Sequence, residues 1–430
     1  MAFNIKNIGF SKGSFLRSFS VYAGNNILNA AIPFILLPIL TSYLSEEEYG
    51  TLANVDVLLR ITIPFILLGI NAAINTAYFR LEKDKLPSFI SSGFVVSFFG
   101  SIIMFFLFLI FRNQIKELTG VPMHWLLIVP LLCLMQTVNF VVLILYQSMK
   151  KPLSYGKFQV SLTLLNFALS LLLIIVFNLG WEGRQIGIFG SFFVFSIIGL
   201  FSLYRMGYLT THISKKYINE ILVFGLPLIP HTIAGPVIQM FDRLFIKNYV
   251  NLGATGIYTT AFQLASVITM IAVAFNQTWT PHLFEQLSAI TEVKKKKLVK
   301  QSYIFILICL LLVLGLFIVT PLIFNLGFIN HKFVEAQQYI LPISLGAAFG
   351  GMYFMVANYI FYEKKTYILA WVTFANAALS ICLNIYLVPK YGSMGAAYTF
   401  LITNFSIFVS VWILSNRVYP MPWFSFYKTR

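Results

Sequence analysis

SYIFILICLLLVLGLFIVTPLIFNL, residues 302–326, carries no charged side chain, and its length decides the class of the molecule. A helix rises 1.5 Å per residue, and about 20 apolar residues cross the ~30 Å hydrocarbon core of a bilayer. Comparable runs recur along all 430 residues, near 19–43, 52–79, 88–111, 124–148, 158–179, 186–205, 221–248, 257–280, 339–361, 367–388 and 395–416. Helix is the only assignment that satisfies the backbone in lipid, because an open strand would leave its N–H and C=O groups unpaired and the alternation of a barrel is missing. The chain is 59% hydrophobic and 10% charged, with a mean hydropathy of +0.83, against roughly 25% charged residues in a soluble protein. The expected fold is therefore an all-α integral membrane protein of about 12 transmembrane helices.

The net charge of +16 does not indicate nucleic acid, because the basic residues lie in small groups between apolar runs. Placed on alternate sides of the membrane, twenty-two Lys and Arg fall with the N-terminus (Lys6, Lys12, Arg17), including Arg80, Lys150, Lys215, Lys294 to Lys297, Lys300 and Arg417. Six fall opposite: Arg112, Lys116, Arg184, Lys247, Lys332 and Lys390. The positive-inside rule then makes both termini cytoplasmic, and an odd number of spans would scramble the asymmetry. Since no short apolar core ends in a small-residue cleavage site, the first span is expected to remain in the mature protein. Cys133, Cys309 and Cys382 all lie inside apolar runs without paired spacing, and read as small buried apolar residues rather than metal ligands.

The sequence repeats itself at half its length. LNFALS (165–170) matches ANAALS (375–380) at an offset of 210, while Tyr43 and Gly50 match Tyr249 and Gly256 at an offset of 206. Six spans per half suggest two similarly oriented bundles, 1–210 and 211–430, in the parallel-repeat plan of several transporters. Connections between spans are too short for a globular catalytic domain. No glycine-rich phosphate loop followed by Lys-Ser or Lys-Thr is present, so ATP hydrolysis is not expected.

Charges inside spans cost ~2.5–3.5 kcal/mol each at the helix centre and mark function or pairing. NVDVLLR places Asp56 and Arg60 four residues apart on one helical face, and FDRLF holds Asp242 and Arg243. Stepping back by fours from Arg243 gives Gln239, Gly235 and His231, a polar and small stripe. Both arginines fall in the outer half of the membrane on this map, Arg60 ~12 Å along its span. They are expected to line a cationic cavity for an anionic cargo, since guanidinium stays charged and grips phosphate in bidentate fashion. The same residues also admit a plainer reading, in which each Asp–Arg pair only locks helices together. Asp56 and Asp242 are candidates for coupling or charge pairing. Asn25, Asn29, Asn71, Gln239 and His231 are candidate polar lining; for the asparagines, with Asn75, interhelical hydrogen bonds remain an equal alternative, and His231 reads more simply as a structural histidine. Pro33, Pro38, Pro64, Pro227, Pro230 and Pro236 bend the entrance helices; they are candidate hinges, with kinks that only shape the bundle an equal alternative. The run KKKK at 294–297 suits attraction to anionic headgroups.

The opening SVYAGNNILNAAIPFILLPILTSYLSEEEYGTLANVDVL resembles the first hairpin of the polysaccharide-transporter family, the Wzx-type O-antigen flippases of the multidrug/oligosaccharidyl-lipid/polysaccharide (MOP) exporter superfamily. FDRLFIKNYVNLGATGIYTTAFQL (241–264) resembles the same family's seventh and eighth helices, with Asp242, Arg243, Gly256, Ile257 and Tyr258 at the matching positions. The resemblance implies no enzyme activity and no cofactor, with an H+ or Na+ coupling ion left open. It implies a central cavity between two six-helix lobes in the bacterial plasma (inner) membrane. The implied cargo is an undecaprenyl-pyrophosphate-linked oligosaccharide, with membrane lipids, a polysaccharide polymerase and a chain-length regulator as partners and no nucleic acid. A multidrug or cation antiporter of the MATE type is the alternative, and would favour free carboxylates in the cavity over arginines. A membrane oligosaccharide polymerase is a more remote one, since it would need a long polar external loop.

Overall fold

The computed structural model describes residues 32, 34–288 and 290–423, and all regular structure among them is helical. The described end of the first predicted span is α1, Phe34–Tyr43. The helices that follow are α2 (Glu46–Leu67), α3 (Ile70–Arg80), α4 (Leu86–Ile110), α5 (Arg112–Thr119), α6 (Met123–Ser148), α7 (Pro152–Leu171), α8 (Gly180–Arg205), α9 (Lys215–Gly225), α10 (Ile229–Met240), α11 (Asp242–Tyr249), α12 (Leu252–Ser288), α13 (Glu292–Asn325), α14 (Gln337–Tyr362), α15 (Thr366–Tyr391) and α16 (Ser393–Val418). Eleven stretches among the described residues are long and apolar enough to cross a membrane. They coincide with the eleven spans read from the sequence after the first.

Local chemistry sets where these helices start. Ser45 and Glu48 form a reciprocal capping box at α2: Ser45 N donates to Glu48 Oε2 at 2.8 Å and Glu48 N donates to Ser45 Oγ at 3.1 Å. Three glutamates in its first turn suit the positive end of the helix dipole. Asn251 Oδ1 accepts from Ala254 N at 2.7 Å at the start of α12, and Thr291 caps α13. Elsewhere prolines break the run. Pro64 precedes the interruption at Leu68 and Gly69, both at positive φ. Pro227 sits in a 3-10 turn, Leu226–Leu228, that separates α9 from α10.

The chain packs as two compact units. One contains Ile66–Ser101 and Leu132–Gly225; the other contains Phe34–Phe65, Ile102–Leu131 and Leu226 onward. Three of the boundaries fall within two residues of a proline, after Pro64 and Pro130 and before Pro227.

In the first unit, polar side chains knit helices whose outer faces are apolar. Asn139 Nδ2 donates to Ser196 Oγ at 3.2 Å, and Ser148 Oγ donates to Asn75 Oδ1 at 3.0 Å. Arg184 donates to Asn166 and Ser170, so Asn166 and Ser170 of the repeated LNFALS motif anchor an arginine. In the second unit, α14 is the core helix. Tyr359, Met355, Ala348 and Ile360 are almost fully enclosed within a cluster that includes Trp279, Phe305 and Val411. By contrast α13 presents Leu307, Leu311, Leu314, Ile318 and Leu322 outward, each 54–59% exposed. Such a surface would drive association in water and is a suitable face for lipid. Cys133 and Cys309 are buried, as expected, whereas Cys382 faces outward.

The two glycines singled out by the repeat meet in this unit. A Cβ on Gly50 would lie 3.0 Å from the Leu252 carbonyl carbon and 3.1 Å from Gly256 N; one on Gly256 would lie 3.0 Å from the Glu46 carbonyl carbon and 3.0 Å from Gly50 N. Each glycine packs on the carbonyl four residues before the other, so the contact is symmetric about the 206-residue offset. Beside it, Asn54 Nδ2 donates to Thr119 O at 2.7 Å and Asn248 Nδ2 to Leu118 O at 2.8 Å.

Candidate functional site

Asp56 and Arg60 sit on α2, as spacing requires, with Arg60 Nε donating to Asp56 Oδ2 at 3.0 Å. Their side chains are 47% and 54% exposed. Close by on the same helix, Asn54 is fully buried, so α2 has a packed face and an accessible charged face. Arg60 spends one N–H on Asp56, and its exposed guanidinium can meet a further anion.

Asp242 and Arg243 are also paired, at 3.3 Å, but their side chains are only 4% and 3% exposed. The sequence map extends one helix over 221–248; the structure ends α10 at Met240 and begins α11 at Asp242. That break explains the pair. Arg243 Nη1 donates to Gln239 O at 3.0 Å, satisfying a carbonyl stranded at the end of α10. Asp242 Oδ1 accepts from Arg243 N at 2.9 Å, satisfying an amide stranded at the start of α11. Tyr258 donates its hydroxyl to Asp242 Oδ2. The guanidinium carbon lies 4.5 Å from the centroid of the Phe262 ring.

Arg243 is therefore enclosed by a completed network, and of the two arginines only Arg60 is presented for contact. The stripe extrapolated along a straight helix does not survive the break at Phe241: Gln239 is exposed while Arg243 is buried. Around Gly235 an added Cβ would meet nothing within 4 Å, so this side of α10 is open. Asn71 is partly buried on α3, and neighbouring Asn75 accepts a hydrogen bond from Ser148. His231 lies in α10, with its side chain outside the described residues, and Asn25 and Asn29 lie outside them entirely. Phe262 was not among the sequence candidates, and Tyr258 entered only as a matching position of the family motif, with no role at Asp242. The spacing of Tyr258, on the next helix from Asp242, gives no local sign that they meet.

Each unit also holds a cavity. In the first, about 460 Å³ is lined by Thr76, Arg80, Phe89, Asn219, Glu220 and Phe224, with Arg80 paired to Glu220 at its wall. In the second, about 310 Å³ lies between α12 and α13.

Residues 15–287 match the family described as polysaccharide biosynthesis protein. A membrane protein of Haemophilus influenzae is 26% identical over 361 residues, 82% of this chain and 85% of that one. A Shigella flexneri protein provisionally named an O-antigen transporter is 23% identical over 189 residues, 43% of this chain and 44% of its own length. Among solved structures, lipid II flippase MurJ in an inward closed conformation superposes with a TM-score of 0.71 at 14% identity, covering 93% of this chain and 87% of that one. An inward-facing multidrug-resistance MATE transporter gives 0.69 at 12% identity, covering 90% and 94%. The long apolar helices and the family match place this multi-pass membrane protein in the polysaccharide biosynthesis protein family, with a fold like that of the MurJ and MATE structures.

Proposed function

We propose that this transporter is a flippase for an undecaprenyl-pyrophosphate-linked oligosaccharide repeat unit, of O-antigen or a similar surface polysaccharide. It carries the unit from the cytoplasmic to the outer leaflet of the bacterial inner membrane by alternating access between two six-helix lobes, 1–210 and 211–430. Fold alone does not choose between cargoes, since MurJ and MATE structures superpose about equally well. Family membership and the Shigella relative favour the glycolipid over a drug or cation.

The observation that carries the reading is Arg60, a permanently charged group kept half-exposed within an apolar span. Its ion pair is weak at this exposure, so exchange of the Asp56 carboxylate for a pyrophosphate oxygen costs little. Arg243, enclosed with Asp242 and Tyr258, holds the α10–α11 break. Of the two acids Asp56 is the one open to a coupling H+ or Na+. Arg60→Ala should abolish surface polysaccharide and leave lipid-linked repeat units on the cytoplasmic leaflet, with normal insertion and melting temperature; Arg60→Lys should restore part of the flux. Normal polysaccharide in Arg60→Ala would overturn the anion-contact reading.

A further inference from the structure

The cavity between α12 and α13 has no part in that reading. Its volume, about 310 Å³, lies at the small end of ligand pockets. Phe275, Ile304, Phe305 and Ile308 give it an apolar wall, and Phe275 and Phe305 stack at 4.2 Å to close one side. Trp279, only 6% exposed, and Gln301 also line it, with the indole Nε1 and the amide Oε1 turned away from the open space and enclosed.

The sequence of α13 shows where charge stands relative to it. Gln301, Ile304 and Ile308 line the cavity, and Lys297 lies one turn before Gln301 on the same face, ~6 Å along the axis. Lys297 and Lys300 are both exposed. Beyond Gln301 the helix is uncharged through Asn325. Gln301 thus marks the level where basic helix gives way to apolar helix, which is where a phospholipid has its own change from phosphate to acyl chain.

We infer that this cavity is a binding site for an anionic phospholipid, resident in the leaflet that borders the KKKK segment. An acyl chain fills the wall of Phe275, Ile304 and Ile308. Lys297 and Lys300, both exposed, neutralise the phosphodiester. The site is separate from Arg60 and independent of the cargo.

Brominated phosphatidylglycerol, with brominated phosphatidylcholine as its zwitterionic counterpart, tests this in nanodiscs. The fluorescence difference between wild type and Trp279→Phe isolates quenching at the site. Half-quenching should need roughly tenfold less phosphatidylglycerol than phosphatidylcholine, and Lys297→Gln/Lys300→Gln, which changes only exposed residues, should erase that preference. Equal quenching by the two lipids, or a preference that survives loss of both lysines, would overturn the inference. Displacement by millimolar inorganic phosphate would identify a free-anion site instead, and displacement by purified lipid-linked glycan a cargo site; either result rejects a resident lipid.

Discussion

Replacing Gly50 or Gly256 by alanine should drive apart the helices that these residues hold together. The added methyl of Gly50→Ala would stand 3.0 Å from the Leu252 carbonyl carbon and 3.1 Å from Gly256 N, with the carbonyl oxygen nearer still. What it meets is backbone, so no side-chain rotation relieves the clash, and α2 must move from α12. Overpacking of this kind costs about 1–3 kcal/mol, which is roughly a 5- to 150-fold shift against the packed arrangement. Gly256→Ala should cost a similar amount, because its methyl meets Glu46 and Gly50 in the same way. The double variant should cost clearly less than the sum, since the first methyl already opens the space that the second needs. Gly235→Ala is the control: with nothing within 4 Å of its Cβ, it should be neutral or gain up to about 1 kcal/mol of helix propensity. Spin labels at Glu47→Cys and Tyr249→Cys, both exposed positions, in a Cys382→Ala background, would read the α2–α11 separation by pulsed electron resonance. A longer distance population should appear in Gly50→Ala and Gly256→Ala but not in Gly235→Ala. Unchanged distances and melting temperatures in both glycine variants, or strict additivity in the double, would refute the reasoning.

The two ion pairs should respond very differently to loss of their acids. Asp242→Ala leaves an enclosed guanidinium uncompensated and should destabilise by about 3–5 kcal/mol, whereas Asp56→Ala, at a half-exposed pair, should change stability by less than about 1 kcal/mol; thermal unfolding in detergent distinguishes them, and equal losses would contradict the assigned burial. Tyr258→Phe removes one donor to the Asp242 carboxylate and should cost about 1–3 kcal/mol, measured in the same unfolding experiment. Asn54→Ala leaves the Thr119 carbonyl without the 2.7 Å hydrogen bond it accepts, with an expected loss of about 1–3 kcal/mol and faster amide exchange around Gly120.

Most of the helical map was legible because membrane spans are written in a one-dimensional code of length and hydropathy. Every described span lies where the apolar run lies, and the Asp56–Arg60 pair follows from helical spacing alone. The α10–α11 break was not legible. FDRLF sits in an apolar context that reads as uninterrupted helix, and the break shows only when Gln239 O and Arg243 N each need a partner. A charge pair that would mark a cavity on a straight helix is, in the fold, the means of ending one helix and starting the next. Nor could Tyr258 be assigned to Asp242, because nothing local in the chain declares a contact made after a reversal of direction.

The repeat carries more than a likeness between halves. Tyr43/Tyr249 and Gly50/Gly256 were visible as matched positions, yet a match between halves of a chain says only that the halves fold alike. In the structure the matched glycines also touch, each on the carbonyl four residues before the other. Such a contact lies on a local pseudo-twofold axis, so one glycine serves twice, as a residue of its own helix and as the floor for its counterpart. Side chains at both positions would hold the helices apart, and a side chain at one would leave a gap opposite the other. Close approach of α2 and α12 therefore depends on glycine at both positions of the repeat.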